Sequence, residues 1–207
     1  TVSNIIGVLW AAALFAWFFL SALYMQLVLG YTPFEVGLAF LPANLIMAAF
    51  SLGLSAKIVM RFGIKRPLGA GLLFAAAGLV LFARAPVEAN FWIDVLPAMT
   101  LLGIGGGIAF NPVLLAAMSD VSAGESGLAS GLVNTAFMMG GALGLAILAS
   151  LADARLAQVA AAGADHRMAL TAGYHAAFLT GAIIAAIAAA LSYALRESSG
   201  AMAEAAE

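Results

Sequence analysis

Six long apolar runs, set apart by short charged or turn-rich punctuation, constrain this chain more than any other feature. They lie at 5–29, 36–56, 67–83, 91–118, 127–151 and 174–195. A helix needs roughly 20 apolar residues to cross a hydrocarbon core of about 30 Å, and the runs fit that requirement. A membrane barrel would instead show segments of about 10 residues with alternating polarity. The stretch GAIIAAIAAAL at 181–191 is apolar on every side, so strands are excluded and the expected fold is an all-α integral membrane bundle of six transmembrane helices. Composition agrees. The 207 residues are 65% hydrophobic and 9% charged, too few charges to wet the surface of a soluble fold. A net charge of −2 offers no basic field for a phosphate backbone, which excludes nucleic-acid partners. With no cysteine there is no disulfide, thiolate metal site or Cys nucleophile.

Charge also sets the expected orientation. Residues 57–66 carry Lys57, Arg61, Lys65 and Arg66, four of the eight basic residues. The positive-inside rule puts this loop in the cytoplasm, together with both termini and a polar tail at 196–207. Residues 152–173, with Asp153, Arg155, Asp165, His166 and Arg167, then read as a solvated external connector. The first apolar run is too long for the core of a secretory signal. Thr1 stands where an initiator Met would, so the chain reads as a segment of something longer.

Polar side chains inside lipid are tolerated where they face protein or a water-filled space. The third and sixth spans almost lack them and read as scaffold. Ser21, Tyr24, Gln26, Asn44, Asn111, Asn134 and Thr135, on the other four, are expected to line a polar path, with Asn44, Asn111 and Asn134 facing one shared space. The bland alternative is that each amide bonds across a helix pair. Gly103 and Gly107, and Gly140 and Gly144, have the spacing of close helix packing, and Pro112 is expected to kink the fourth span. Glu35 and Asp94 fall in first helical turns, where a helix N-terminus favours an anion. No carboxylate or His lies deep in a span, so any proton carrier is expected outside this chain. Ser130 and His175 open the fifth and sixth spans from opposite sides of the bilayer, and no HExxH pair is present, which argues against an intramembrane hydrolase, a metal site or any cofactor.

The stretch AKIVMRFGIKR at 56–66 resembles the signature between the second and third helices of a major facilitator superfamily half. Arg61, Gly63, Lys65 and Arg66 match it, while Ala56 and Met60 replace its leading Gly and its Asp. Three further stretches sharpen the likeness: LYMQ at 23–26 leading to GYTP at 30–33 and GLAFLP at 37–42; SGLASG at 126–131 with Asn134, Thr135 and GGALG at 140–144; and GYHAAF at 173–178. Together they are similar to the C-terminal six-helix half of the EmrB/QacA group, drug:proton antiporters with fourteen helices. Phe137 and Met138 stand where that group often carries an Arg-Gln pair. The resemblance implies a bacterial inner-membrane exporter of amphipathic small molecules, working by alternating access with a missing N-terminal half. Its substrate cavity would draw on Gln26, Asn44, Asn111, Asn134, Thr135 and Met138, and its protons on a group outside this chain. The alternative is a non-transporting scaffold or sensor that keeps the helix bundle.

Overall fold

Local signals on each side of a turn start and stop the helices. Pro33 has the fixed φ that suits a first helical position, and Thr32 before it accepts a hydrogen bond from the Glu35 amide at 3.3 Å. The Glu35 carboxylate returns to the Thr32 amide at 2.8 Å and completes a capping box. The computed structural model describes residues 2–118, 121 and 123–195, and these are entirely helix and turn. After α1 (Val2–Leu27), helix α2 (Pro33–Ala49) runs through a π-helical turn, Phe50–Leu54, into α3 (Ser55–Phe62). Gly63, at φ 74°, ends α3 in a left-handed conformation open to glycine, and α4 (Lys65–Phe82) follows.

The basic segment expected as a loop is therefore helical as far as Phe62. Ile58 and Val59 are half-buried while Lys57 and Arg61 are exposed, so an amphipathic turn of helix carries the cations and the reversal needs only Gly63 and Ile64. A second π-helical turn, Phe91–Val95, opens α5 (Leu96–Met118), which continues through Pro112. Asn90 caps it by accepting from the Trp92 amide at 2.9 Å, and Asp94 accepts from the Asn90 amide at 2.7 Å. The connector expected at 152–173 is also mostly helix. Its sequence ADARLAQVAA holds no Gly or Pro to stop α6 (Ser126–Ala161), which ends just before Gly163 at φ 88°. Asp165 then caps α7 (His166–Tyr193), accepting from the Arg167 amide at 3.1 Å.

Among the described residues, six helical stretches are long and apolar enough to cross a membrane. Helix α4 packs between α5 and α7, α1 packs on α6 and α7, and α2 leans on α5. Of the six, α1 is the most deeply buried, with Trp10, Trp17 and Tyr24 at seven-residue intervals all at 1% exposure or less. The π-interrupted stretch 33–62 and α6 are the least covered.

Glycine lets backbones touch. A Cβ at Gly103 would lie 2.6 Å from the Ala43 carbonyl oxygen of α2, and one at Gly105 would lie 2.6 Å from the Gly71 oxygen of α4. Helix α5 is thus wedged between two neighbours with glycine on both faces. A Cβ at Gly107 would lie 2.6 Å from the Phe50 Cβ and 3.1 Å from the Met47 backbone. Across the bundle, Gly140 abuts the Val8 Cα at 2.9 Å and Gly144 abuts the Ala12 Cα at 2.6 Å, measured from an added Cβ, which draws α6 onto α1.

The bundle end opposite Gly63 is held by side chains that bind main-chain carbonyls. The Tyr24 hydroxyl donates to Pro86 at 2.7 Å. Arg167 donates to the Val28 carbonyl at 2.7 and 3.1 Å, and to Val87 at 3.2 Å. His175 Nε2 sits 2.8 Å from the Ala85 carbonyl, which can only accept, so this nitrogen carries the proton. Three successive carbonyls of the turn after α4 are thereby gripped from α1 and α7.

Candidate functional site

Among the described residues, a cavity of about 390 Å³ lies between α1, α5 and α6, at the same end of the bundle as Gly63. That is within the range of small-molecule sites, about 300–1,000 Å³. Trp10 of α1 forms one wall, Phe110 and Met118 of α5 another, and Ser130, Asn134, Phe137 and Met138 of α6 a third. Its walls are set by the glycine contacts one and two turns further along α6. Gly140 and Gly144 bring α6 onto α1, and Gly106 leaves room for the Trp10 ring and Met47. Phe137 is fixed by edge-to-face contacts with Phe15 (6.2 Å, 72°) and Phe110 (6.4 Å, 86°). The Trp10 indole nitrogen is buried with no acceptor, an uncommon state for a buried N–H group.

Of the six expected cavity residues, the structure brings two to this wall, Asn134 and Met138. The three asparagines do not share a space. Asn111 donates to the Ser51 carbonyl of the π-helical turn at 3.4 Å, across the α5–α2 contact. The π turn explains why that carbonyl is available: the Ser55 amide bonds one residue further back, to Phe50, and leaves Ser51 without its helical donor. Asn44 is exposed on α2, Gln26 is half-buried near the far end of α1, and the exposed Thr135 turns its hydroxyl back to the Gly131 carbonyl at 2.8 Å. Sequence reading did not single out Phe110 or Met118 for this wall. For Phe110 its place beside Asn111 was the available signal, since Asn111 faces α2 and the adjacent residue turns toward another neighbour; Met118, seven residues further on, carried no such signal.

Ser130 and His175 sit at opposite ends of the bundle, one in the cavity wall and the other on the Ala85 carbonyl. No group of three or more His, Cys, Asp or Glu residues able to hold a metal occurs among the described residues.

Residues 4–145 match the Major Facilitator Superfamily. The chain belongs to that family. The puromycin resistance protein of Streptomyces alboniger is 36% identical over 137 residues, 65% of this chain and 27% of that protein. The cephamycin export protein of Amycolatopsis lactamdurans is 34% identical over 132 residues, 64% of this chain and 27% of the relative. The tetracenomycin C resistance and export protein of Streptomyces glaucescens is 30% identical over 164 residues, 77% of this chain and 29% of the relative. The chain thus spans between a quarter and a third of the length of these relatives. As a superfamily member with six spanning helices it is an integral membrane protein whose architecture is that of one superfamily half.

Proposed function

We propose that this chain is the C-terminal six-helix half of a proton-coupled exporter of the fourteen-helix EmrB/QacA group, moving an amphipathic small molecule by alternating access. The observation that carries this reading is the cavity between α1, α5 and α6, walled by aromatic and Met side chains with Asn134 at its edge. It is of ligand size, and it occupies the stretch in which the chain matches a family with antibiotic exporters among its members. Alternating access needs two bodies that rock about a site near the midplane, and six helices supply one of them. The long exposed faces of α2 and α6, with Leu38, Leu41 and Leu45 on one and Leu132, Met139 and Leu143 on the other, suit contact with a second bundle. In that assembly Asn44 and Thr135 face the other half, and Arg61, Gly63, Lys65 and Arg66 lie on the cytoplasmic side. Protons pass through a group outside the chain, since Glu35 and Asp94 are committed to helix caps.

Reconstitution in liposomes with an imposed pH gradient tests the reading. The 207-residue chain alone is expected to be inert, with accumulation of a fluorescent amphipathic drug restored when an N-terminal half is co-expressed. Accumulation by a demonstrated monomer of this chain would refute the half-transporter assignment.

A further inference from the structure

The chemistry of the cavity wall narrows what it can hold, and the narrowing rests on the transporter reading just given. Among the described residues no side chain that lines the cavity is charged, and besides the Trp10 indole N–H only Ser130 and Asn134 carry hydrogen-bonding groups. These two lie four residues apart on α6, so they stand on one face at a separation of about 6 Å along the helix axis. Neither has a hydrogen-bond partner among the described residues. Ser130 is unusual in this respect, because hydroxyls on the spans normally turn back to the carbonyl four residues earlier, as in Ser21, Thr100, Thr135, Ser150, Thr171 and Thr180. A hydroxyl and an amide left free side by side can donate and accept toward a bound molecule. Across the space from them stand the rings of Trp10 and Phe110, with Phe137 on α6 itself.

We propose that the cavity takes an uncharged, flat, polycyclic molecule whose ring face lies on this aromatic wall and whose paired oxygen atoms along one edge meet Ser130 and Asn134, and that it discriminates against cations of the same shape. A cation entering the cavity sheds water and meets no carboxylate among the described lining residues, a large unfavourable term. A neutral ring system sheds little hydration and regains its two hydrogen bonds.

The test uses two three-ring probes of similar size, quinizarin, a neutral dihydroxyanthraquinone, and proflavine, a cation at neutral pH. Each is titrated into the chain in nanodiscs of uncharged lipid, following quenching of Trp10 in a Trp17→Phe, Trp92→Phe background, with calorimetry on the unsubstituted chain as a second readout. Quinizarin should quench saturably and bind at least about tenfold more tightly than proflavine. Ser130→Ala and Asn134→Ala should each weaken quinizarin by about three- to tenfold, the range of one neutral hydrogen bond. Asn134→Asp should raise proflavine affinity by about tenfold. Equal binding of the two probes, or quinizarin binding unmoved by both alanine variants, overturns the proposal while leaving the cavity a ligand site. Saturable binding of neither probe overturns the cavity assignment itself.

Discussion

Replacing Gly144 by Ala tests whether backbone contact between α1 and α6 sets the shape of the cavity. The new Cβ would meet the Ala12 Cα at 2.6 Å and the Ala12 Cβ closer still. Ordinary carbon contact is about 3.5–4.0 Å, so the two helices must part by roughly 1 Å. Overpacking of this kind costs about 1–3 kcal/mol. The intrinsic preference of a helix for Ala over Gly returns about 0.8–1.0 kcal/mol, leaving a net loss of up to about 2 kcal/mol. The same helix supplies its own control. Gly131 has nothing within 4 Å of where its Cβ would stand, so Gly131→Ala keeps the propensity gain and stabilises by up to about 1 kcal/mol. One substitution, two turns of sign: the pair should differ by about 2 kcal/mol, or roughly thirtyfold in the unfolding constant. Equilibrium unfolding in mixed micelles with increasing SDS, read by far-UV circular dichroism, measures both. If Gly144→Ala matches or exceeds Gly131→Ala in stability, the close α1–α6 approach is not what packs this bundle. Gly140→Ala combined with Gly144→Ala should lose less than the sum, because one separation of the helices relieves both contacts.

Arg167→Ala should destabilise the bundle by about 2–3 kcal/mol and raise amide exchange in the turn after α4, since three charged hydrogen bonds to Val28 and Val87 vanish together; Arg167→Lys should recover only part, lacking the planar fork. Tyr24→Phe removes the single bond to Pro86 and should cost about 0.5–1.5 kcal/mol in the same unfolding assay, with no change in the far-UV spectrum. Thr32→Ala opens the α2 capping box and should cost about 1 kcal/mol, seen as faster exchange of the Glu35 amide. Single cysteines in this cysteine-free chain should be labelled by an impermeant maleimide at residues 57–66 only from the cytoplasmic face; labelling from outside intact cells would invert the orientation.

The six spans were legible because hydrocarbon thickness writes itself into the length of apolar runs. Helix ends were less so. Lys57 and Arg61 read as loop residues because charge was taken as punctuation, yet a helix wider than the hydrocarbon core carries its charged turn beyond it. Asp153 and Arg155 misled in the same way at the end of α6. At the cavity, Asn134 was legible as an amide within an apolar span and Met138 through the family resemblance, but Asn111 was drawn to Ser51 by a carbonyl that only the π turn had set free. A local register shift in one helix determined what a polar side chain 60 residues away would do, and no periodicity in the sequence encodes that. The grip of Arg167 on Val28 crosses 139 residues and was equally invisible.

The turn after α4 is recognised without being read. Tyr24, Arg167 and His175 address the oxygens of Ala85, Pro86 and Val87, and every amino acid presents the same oxygen. The identity of those three residues is therefore nearly free to drift, provided the chain can trace the same path, whereas the three residues that hold them are not. Substitutions should accumulate unequally across this contact: a tolerant ribbon on one side and fixed fingers on the other, so that a survey of variants would find the position of the turn preserved while its composition wanders.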